Sequence, residues 1–232
     1  RRGAASSSPS AEAKGKGAAA LQPRGARVPN ESRFWDRAAA RYAARPISDE
    51  GAHREKLARA RAHLAPGMRV IDIGCGTGTA AIAQAPHVAH VRAIDISGEM
   101  IRIARERSEA AGVANVSLER AALEEIDPAE GPWDAAFALS FLHLVPDRDA
   151  ALARIAALLA PGGVLVANSF CLADMPLHLR LIVAGGRRVG LLPHVRAFSR
   201  AALRTSLAGA GFELLEERSF GRALFQIART TA

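Results

Sequence analysis

Apolar positions along the chain follow two alternating spacings. Short runs rich in Val, Ile, Leu and Ala have the length and composition of buried strands. Longer stretches, in which apolar residues recur every three or four positions as on one face of a helix, separate them. The expected strands lie at 68–73, 91–94, 116–118, 133–139 and 164–167, with helices such as 99–111 and 148–159 between them. This alternation indicates parallel strands joined by helical crossovers, which is a doubly wound α/β sheet.

The two ends of the pattern differ from its middle. Two helices are expected before the first strand, at 34–42 and 50–64. After the alternating region, Ser199 is suited to cap a further helix, and runs at 212–217 and 223–228 indicate two consecutive strands. We therefore expect a seven-stranded sheet, mostly parallel, that ends in an antiparallel hairpin.

Composition and charge narrow the class of protein. The 232 residues are 49% hydrophobic and 23% charged, as in an ordinary globular domain. Residues 1–29 hold six basic side chains and one acidic one, so the remainder carries only +3 of the net charge of +8. This small charge, with an aromatic content of 5%, argues against nucleic acid as a partner. Cys75 and Cys171 form neither a disulfide framework nor a zinc site, which favours a reducing, cytoplasmic location.

The chain divides into a tail and a domain. Residues 1–30 are rich in Ala, Ser, Gly, Arg and Pro, so we expect a disordered tail. Its composition fits an organelle transit peptide or a plain linker, and the first alternative would place the protein in a stroma or matrix. Residues 31–232 form the expected domain. No apolar run approaches the roughly 20 residues needed to span a bilayer, although contact with a membrane surface stays open.

The sharpest motif is the run V-I-D-I-G-C-G-T-G-T at 70–79. A buried strand leads into a loop with glycine at every second position and then into a helix, so a ligand can lie against bare backbone. The next strand ends at Asp95, whose carboxylate can accept both hydroxyls of a ribose. Asp72, inside the first strand, can organise the loop and attract a cationic group. The register from Gly76 to Ala81 also fits the dinucleotide pattern G-x-G-x-x-A, so an NAD(P)-dependent oxidoreductase is an alternative.

Further motifs resemble those of the class I S-adenosylmethionine-dependent methyltransferases, which have a Rossmann-like fold. The small-molecule branch that includes ubiquinone and menaquinone methyltransferases is the most similar. The matching segments are 72–78, the D-x-S-x-x-M pattern at 95–100, the fourth-strand region at 132–144, L-x-P-G-G at 159–163 and A-G-F at 210–212. The resemblance implies a methyltransferase that uses S-adenosylmethionine and a small-molecule methyl acceptor. A non-catalytic cofactor-binding module is the third alternative.

The resemblance also implies roles for individual residues. Asp95 would hold the ribose, and Ile96 and Met100 would sandwich the adenine. The backbone near Gly74 and Leu139 would receive the methionine part, with Tyr42 closing over it. The other implied cofactor positions are Asp72, Cys75, Gly76, Gly78, Ala122, Leu123 and Ser140. Family members often carry Asp where this chain has Ala122, so Glu119, Glu124 or the backbone of Leu123 would have to meet the adenine amino group.

Methyl transfer needs no covalent nucleophile, but some acceptors need a general base. His143, just past the fourth strand, is the best-placed candidate, and a structural histidine is the equal alternative. The insertion at 174–193, where the family builds a substrate lid, combines apolar residues with Arg180, Arg187 and Arg188. Such a lid suits a lipophilic or anionic acceptor, or contact with an anionic membrane surface, whereas a plain helical cover with solvated arginines is the alternative. No metal site is expected.

Overall fold

The computed structural model describes residues 29–46 and 49–231, so the predicted tail at 1–28 lies outside the described residues. The helices are α1 (Pro29–Ala43), α2 (Glu50–Arg61), α3 (Thr79–Gln84), α4 (Gly98–Ala110), α5 (Arg148–Leu158), α6 (Leu177–Arg188) and α7 (Arg200–Gly209). The strands are β1 (Arg69–Ile73), β2 (His90–Asp95), β3 (Val116–Arg120), β4 (Trp133–Leu139), β5 (Leu159–Phe170), β6 (Phe212–Phe220) and β7 (Ala223–Thr230). Helix α1 begins two residues before the boundary expected for the tail.

The seven strands form one sheet in the order β3-β2-β1-β4-β5-β7-β6. Strands β1 to β5 pair in parallel, while β7 runs antiparallel to both of its neighbours, β5 and β6. The predicted doubly wound sheet with its C-terminal antiparallel hairpin is therefore confirmed. Because the carboxyl ends of β1, β2, β4 and β5 lie at the same edge, the loops that follow them meet there.

Two apolar cores cover the two faces of the sheet. Alternate residues of a strand point to opposite faces, so Ala136 of β4 packs into one core while Phe137 packs into the other. The first core lies under α5 and α7, and Leu152 and Ile155 of α5 are completely buried in it. The second core lies on the face covered by α2 and α3. In the described ranges, no helix is long and apolar enough to cross a membrane.

Helix starts follow the sequence signals. Ser199 accepts a hydrogen bond from the backbone N–H of Ala202, which confirms it as the N-cap of α7. Ser97 caps α4 in the same way through Met100. A side-chain oxygen at this position satisfies a backbone donor that has no partner within the helix.

His143 lies in the turn after β4 and is only 5% exposed. Its ring packs edge-on against Phe170, with the ring centroids 5.2 Å apart. Within the described ranges its Nδ1 has no hydrogen-bond partner. Burial lowers the pKa of His143 to about 4, because a buried imidazolium ion loses its hydration. The side chain is thus a neutral part of the interior at neutral pH.

This burial makes stability depend on pH. The unfolded chain takes up a proton at His143 near pH 6.5, whereas the folded chain does so only near pH 4. The free energy of unfolding should therefore fall by about 3 kcal/mol as the pH drops from 7 to 4. His143→Gln should remove this contribution. Urea titrations at pH 7 and pH 4 should then show a wild-type-minus-variant difference that decreases by that amount, because the titration of all other groups is common to both chains. A difference that stays constant would contradict the neutral, buried state.

Candidate active site

The loop between β1 and α3 has three glycines with positive φ, at Gly74 (+68°), Gly76 (+55°) and Gly78 (+76°). A Cβ at Gly74 would lie 2.8 Å from the ring of Phe141, and one at Gly78 would lie 3.0 Å from Ala104. Those two glycines are therefore required by packing. At Gly76 the nearest atom to an added Cβ is Cε1 of Tyr42, at 3.9 Å. A side chain there would fill the space between loop and Tyr42, so glycine leaves the backbone bare.

Asp95, the last residue of β2, ties this loop to the next one. One carboxylate oxygen accepts from the N–H of Gly76 at 2.9 Å, and the other accepts from the N–H of Ser97 at 2.8 Å. Burial raises the pKa of Asp95, and these two hydrogen bonds oppose that rise by stabilising the charged form. Each oxygen retains a second lone pair, so the carboxylate can accept further hydrogen bonds.

The hydroxyl of Ser97 extends this network to α1 by donating to Asp36 at 2.7 Å. Asp36 also accepts from the N–H of Glu99. Sequence reasoning missed Asp36, because its contact with Ser97 joins residues 61 positions apart.

Asp72 is 1% exposed and does not line the cavity next to the loop. Burial, with a smaller contribution from the charge of Asp95, raises the pKa of Asp72 to about 7, although a hydrogen bond with the Ala81 backbone opposes the rise. One of its oxygens has no partner among the described residues. An acid with this pKa exchanges protons at neutral pH.

A cavity of about 200 Å³ opens beside the glycine loop. Six of the predicted cofactor residues line it: Tyr42, Gly74, Cys75, Gly76, Leu139 and Ser140. The structure therefore brings together residues from α1, the first loop and the end of β4. Tyr42 is half exposed, and partial burial raises the pKa of its hydroxyl with help from the Asp95 charge. Burial also raises the pKa of the Cys75 thiol well above its ordinary value, so the thiol stays protonated at neutral pH.

Helix α2 supplies the opposite wall of the cavity through His53, Lys56, Leu57 and Ala60. The sequence analysis singled out neither His53 nor Lys56 as a site residue. The spacing of the four residues, i, i+3, i+4 and i+7, is that of one helix face. A histidine and a lysine on an otherwise apolar helix face could have indicated from the sequence that this face lines a functional site.

The floor of the cavity comes from the sheet. Phe137, Val166 and Phe225 supply apolar surface. Ser140 has a φ of +60°, a strained value for a residue with a side chain. Asn168 holds this conformation, since its carbonyl accepts from the N–H of Ser140 at 2.7 Å. The side-chain Oδ1 of Asn168 is buried and has no partner in the described part of the chain.

Other predicted residues lie away from the cavity. Met100 is 2% exposed and packs with Ala39 and Ile103 between α1 and α4, so its side chain is part of a small core. The N–H of Ala122 donates to Glu125. The predicted cofactor positions that do not line the cavity are Asp72, Gly78, Asp95, Ile96, Met100, Ala122 and Leu123. His143, the candidate base, is also not among the lining residues.

The predicted lid forms α6 and the segment after it, and it does not reach this cavity. Leu177, Leu181 and Ile182 of α6 are each at least 63% exposed. The guanidinium of Arg187 is not simply solvated, because it donates to the carbonyl of Val195 at 3.1 Å and contacts the ring of His194. In the described ranges no three His, Cys, Asp or Glu side chains come together as metal ligands.

Known methyltransferases are similar to this chain in sequence. Residues 70–163 match the family model of a methyltransferase domain. The ubiquinone biosynthesis O-methyltransferase of Xanthomonas axonopodis pv. citri is 34% identical over 167 residues, which cover 68% of this chain and 69% of that protein. The corresponding protein of Xanthomonas euvesicatoria is 32% identical over 190 residues, or 79% of this chain and 77% of its own.

Solved structures share the fold. An S-adenosylmethionine-dependent methyltransferase from Mesorhizobium loti superposes with a TM-score of 0.64 at 21% identity, covering 78% of this chain and 99% of that one. The complex of DhpI with SAH gives a TM-score of 0.67 at 23% identity, covering 86% of this chain and 95% of that one. The fold, the glycine loop and the relatives agree: the chain belongs to the S-adenosylmethionine-dependent methyltransferases, and S-adenosylmethionine is its cofactor.

Proposed function

We propose that this enzyme transfers the methyl group to a small, partly apolar acceptor that enters the cavity between the glycine loop and α2. The observation that carries the proposal is the cavity itself, which starts at the backbone of Gly74 and Gly76 and continues against apolar surface of the sheet. Its volume of about 200 Å³, shared between the methionine part of the cofactor and the acceptor, favours a small molecule over a folded macromolecule.

The residues at the loop fit the cofactor. Gly76 leaves its backbone uncovered, Asp95 keeps free lone pairs beside it, and the orphaned Oδ1 of Asn168 offers a buried acceptor. In the proposed assignment Asp95 binds the ribose hydroxyls and Asn168 accepts from the ammonium group of the methionine part. Tyr42 covers the loop. Ile96, Ala122 and Leu123 lie toward the adenine, and Met100 supports them from the small core between α1 and α4.

The relatives suggest the acceptor atom. Proteins that are 34% and 32% identical to this chain over the aligned regions are named for O-methyl transfer in ubiquinone biosynthesis. An acceptor oxygen on a ring-sized, partly apolar molecule also suits a wall made of Leu57, Phe137 and Phe225. We therefore propose a hydroxylated small molecule as the acceptor.

The catalytic contribution of the chain is mainly positional. When bound, S-adenosylmethionine supplies a methyl carbon already activated by its sulfonium. The loop and α2 hold the acceptor oxygen in line with that carbon, and the apolar floor excludes water. Ser140 lines the cavity at its strained turn, and its hydroxyl, which accepts from Nδ2 of Asn168 at 3.3 Å, keeps a proton that it can donate to an acceptor.

The first test concerns Asp95. S-adenosylhomocysteine should bind the wild type and raise its melting temperature, because a ligand of the folded state stabilises that state. Asp95→Ala should weaken the binding by about 1.5 to 3 kcal/mol, the range for hydrogen bonds to a charged group. Glu106→Ala removes a carboxylate from the exposed face of α4 and should leave the affinity unchanged. Absence of cofactor binding to the wild type in calorimetry would refute the proposed site.

The second test separates the cavity from backbone strain. Gly76 and Gly112 both have positive φ, but a Cβ at Gly112 would meet nothing within 4 Å. Ala at either position should therefore lower the melting temperature through similar strain. Only Gly76→Ala should also weaken S-adenosylhomocysteine binding, by about 1 to 3 kcal/mol, because its methyl group occupies ligand space. Equal affinities of the two variants would show that the cofactor does not lie against Gly76.

A further inference from the structure

We propose that His53 and Lys56 of α2 form the acceptor site, in which His53 takes the proton of an acidic hydroxyl, such as that of a phenol, and Lys56 holds the resulting oxyanion. This inference rests on the proposed function, since it concerns the acceptor end of the same cavity. It assigns the proton acceptor to α2 instead of to the buried His143.

The two side chains occupy one wall of the cavity. They lie three residues apart on one face of α2, and both line the cavity opposite the glycine loop. Leu57 and Ala60 of the same face are buried, which fixes the orientation of the helix. The carbonyl of Leu57 accepts from the buried side chain of Gln84 at 2.9 Å, and this hydrogen bond holds α2 against α3.

The charge of the cavity favours an anion. The residues that line the cavity include no Asp or Glu among those the structure describes. The ammonium of Lys56 has no carboxylate within ion-pair distance in the described ranges, and it lies 5.1 Å from the centre of the Phe220 ring, which holds it without neutralising it. A half-buried cation beside an apolar surface favours a bound anion. An oxyanion that forms during the reaction is such an anion.

The imidazole of His53 is in the state that a proton acceptor needs. Burial lowers the pKa of His53, and the nearby charge of Lys56 lowers it further, so the ring is neutral and able to accept a proton at neutral pH. No hydrogen bond to its side chain occurs within the described ranges, which leaves both ring nitrogens available. The pKa of Lys56 is also lowered by burial, while Asp49 opposes that shift.

Methyl transfer to the acceptor oxygen releases one proton, which His53 accepts. The proton of the acceptor hydroxyl moves to an imidazole nitrogen of His53. An electron pair of the oxygen forms the new bond to the methyl carbon, and the carbon–sulfur bond of the cofactor breaks with its electron pair left on sulfur. His53 is half-buried and passes its proton to water afterwards. A carboxylate acceptor would arrive ionised and need no such base, so the pair favours a hydroxyl that ionises within the site.

The test uses 4-nitrophenol as a probe, because its ionised form absorbs at a different wavelength from its neutral form. The full chain is saturated with S-adenosylhomocysteine and titrated with the probe at neutral pH. The wild type should enrich the phenolate form. Lys56→Met should weaken phenolate binding by about 10- to 100-fold, and Lys56→Arg should restore part of it. His53→Gln removes the proton acceptor, so binding of the probe as phenolate should release up to one more proton to the buffer than in the wild type, as calorimetry in buffers of different ionisation enthalpy measures.

Matched controls and the cofactor titration distinguish the outcomes. Arg61→Met and His63→Gln remove the same kinds of side chain near the end of α2, outside the cavity, and should behave as the wild type. Both active-site variants should bind S-adenosylhomocysteine with affinities within about twofold of the wild type. If Lys56→Met instead weakens cofactor binding and leaves phenolate binding unchanged, Lys56 holds the cofactor carboxylate and the inference is wrong. A wild type that binds the cofactor but enriches no phenolate also overturns it. Failure to bind the cofactor at all would overturn the proposed function itself.

Discussion

The carboxylate of Asp95 is the one interaction on which the arrangement of the site depends. Its two oxygens bind the backbone of Gly76 and Ser97, so a single side chain fixes the glycine loop relative to the start of α4. Ser97 passes this constraint to α1 through Asp36. Arg107 adds a second tie, since its guanidinium binds Thr77 in the loop and the carbonyl of Ala43 at the end of α1. These contacts at Asp36 and Ala43, on either side of Tyr42 in α1, hold Tyr42 over the loop.

The charges around the cavity are segregated. Two buried carboxyls, Asp72 and Asp95, lie below and beside the glycine loop, and burial raises the pKa of each. His53 and Lys56 lie on the opposite wall, on α2. In the proposed function, the negative side meets the cationic cofactor and the positive side meets an acceptor that becomes an anion. Burying the Asp72 carboxyl costs folding free energy, and a carboxyl whose pKa is raised by burial is typical of a functional site.

The sequence predicted those parts of the molecule that depend on local pattern. The strand and helix alternation, the Ser199 cap and the terminal hairpin follow from spacing and capping chemistry, and the structure confirms them. The glycine loop was found because its backbone requirement leaves a distinctive run of residues. The cavity was not predicted, since its walls come from α2, β4, β5 and β7, which meet only after folding. The orientations of His143 and Met100 likewise depend on the turn after β4 and on the docking of α1, which a sequence motif does not specify.

The central claim is that this methyltransferase acts on a small, partly apolar hydroxyl acceptor. The most direct measurement uses S-adenosylmethionine labelled in its methyl group, incubated with the enzyme and a fractionated small-molecule extract or a panel of phenols. The account predicts label that passes into organic solvent, in a product whose methyl group is bound to oxygen. Label found only in acid-precipitable protein or nucleic acid, or in a product methylated at carbon or nitrogen, would contradict it.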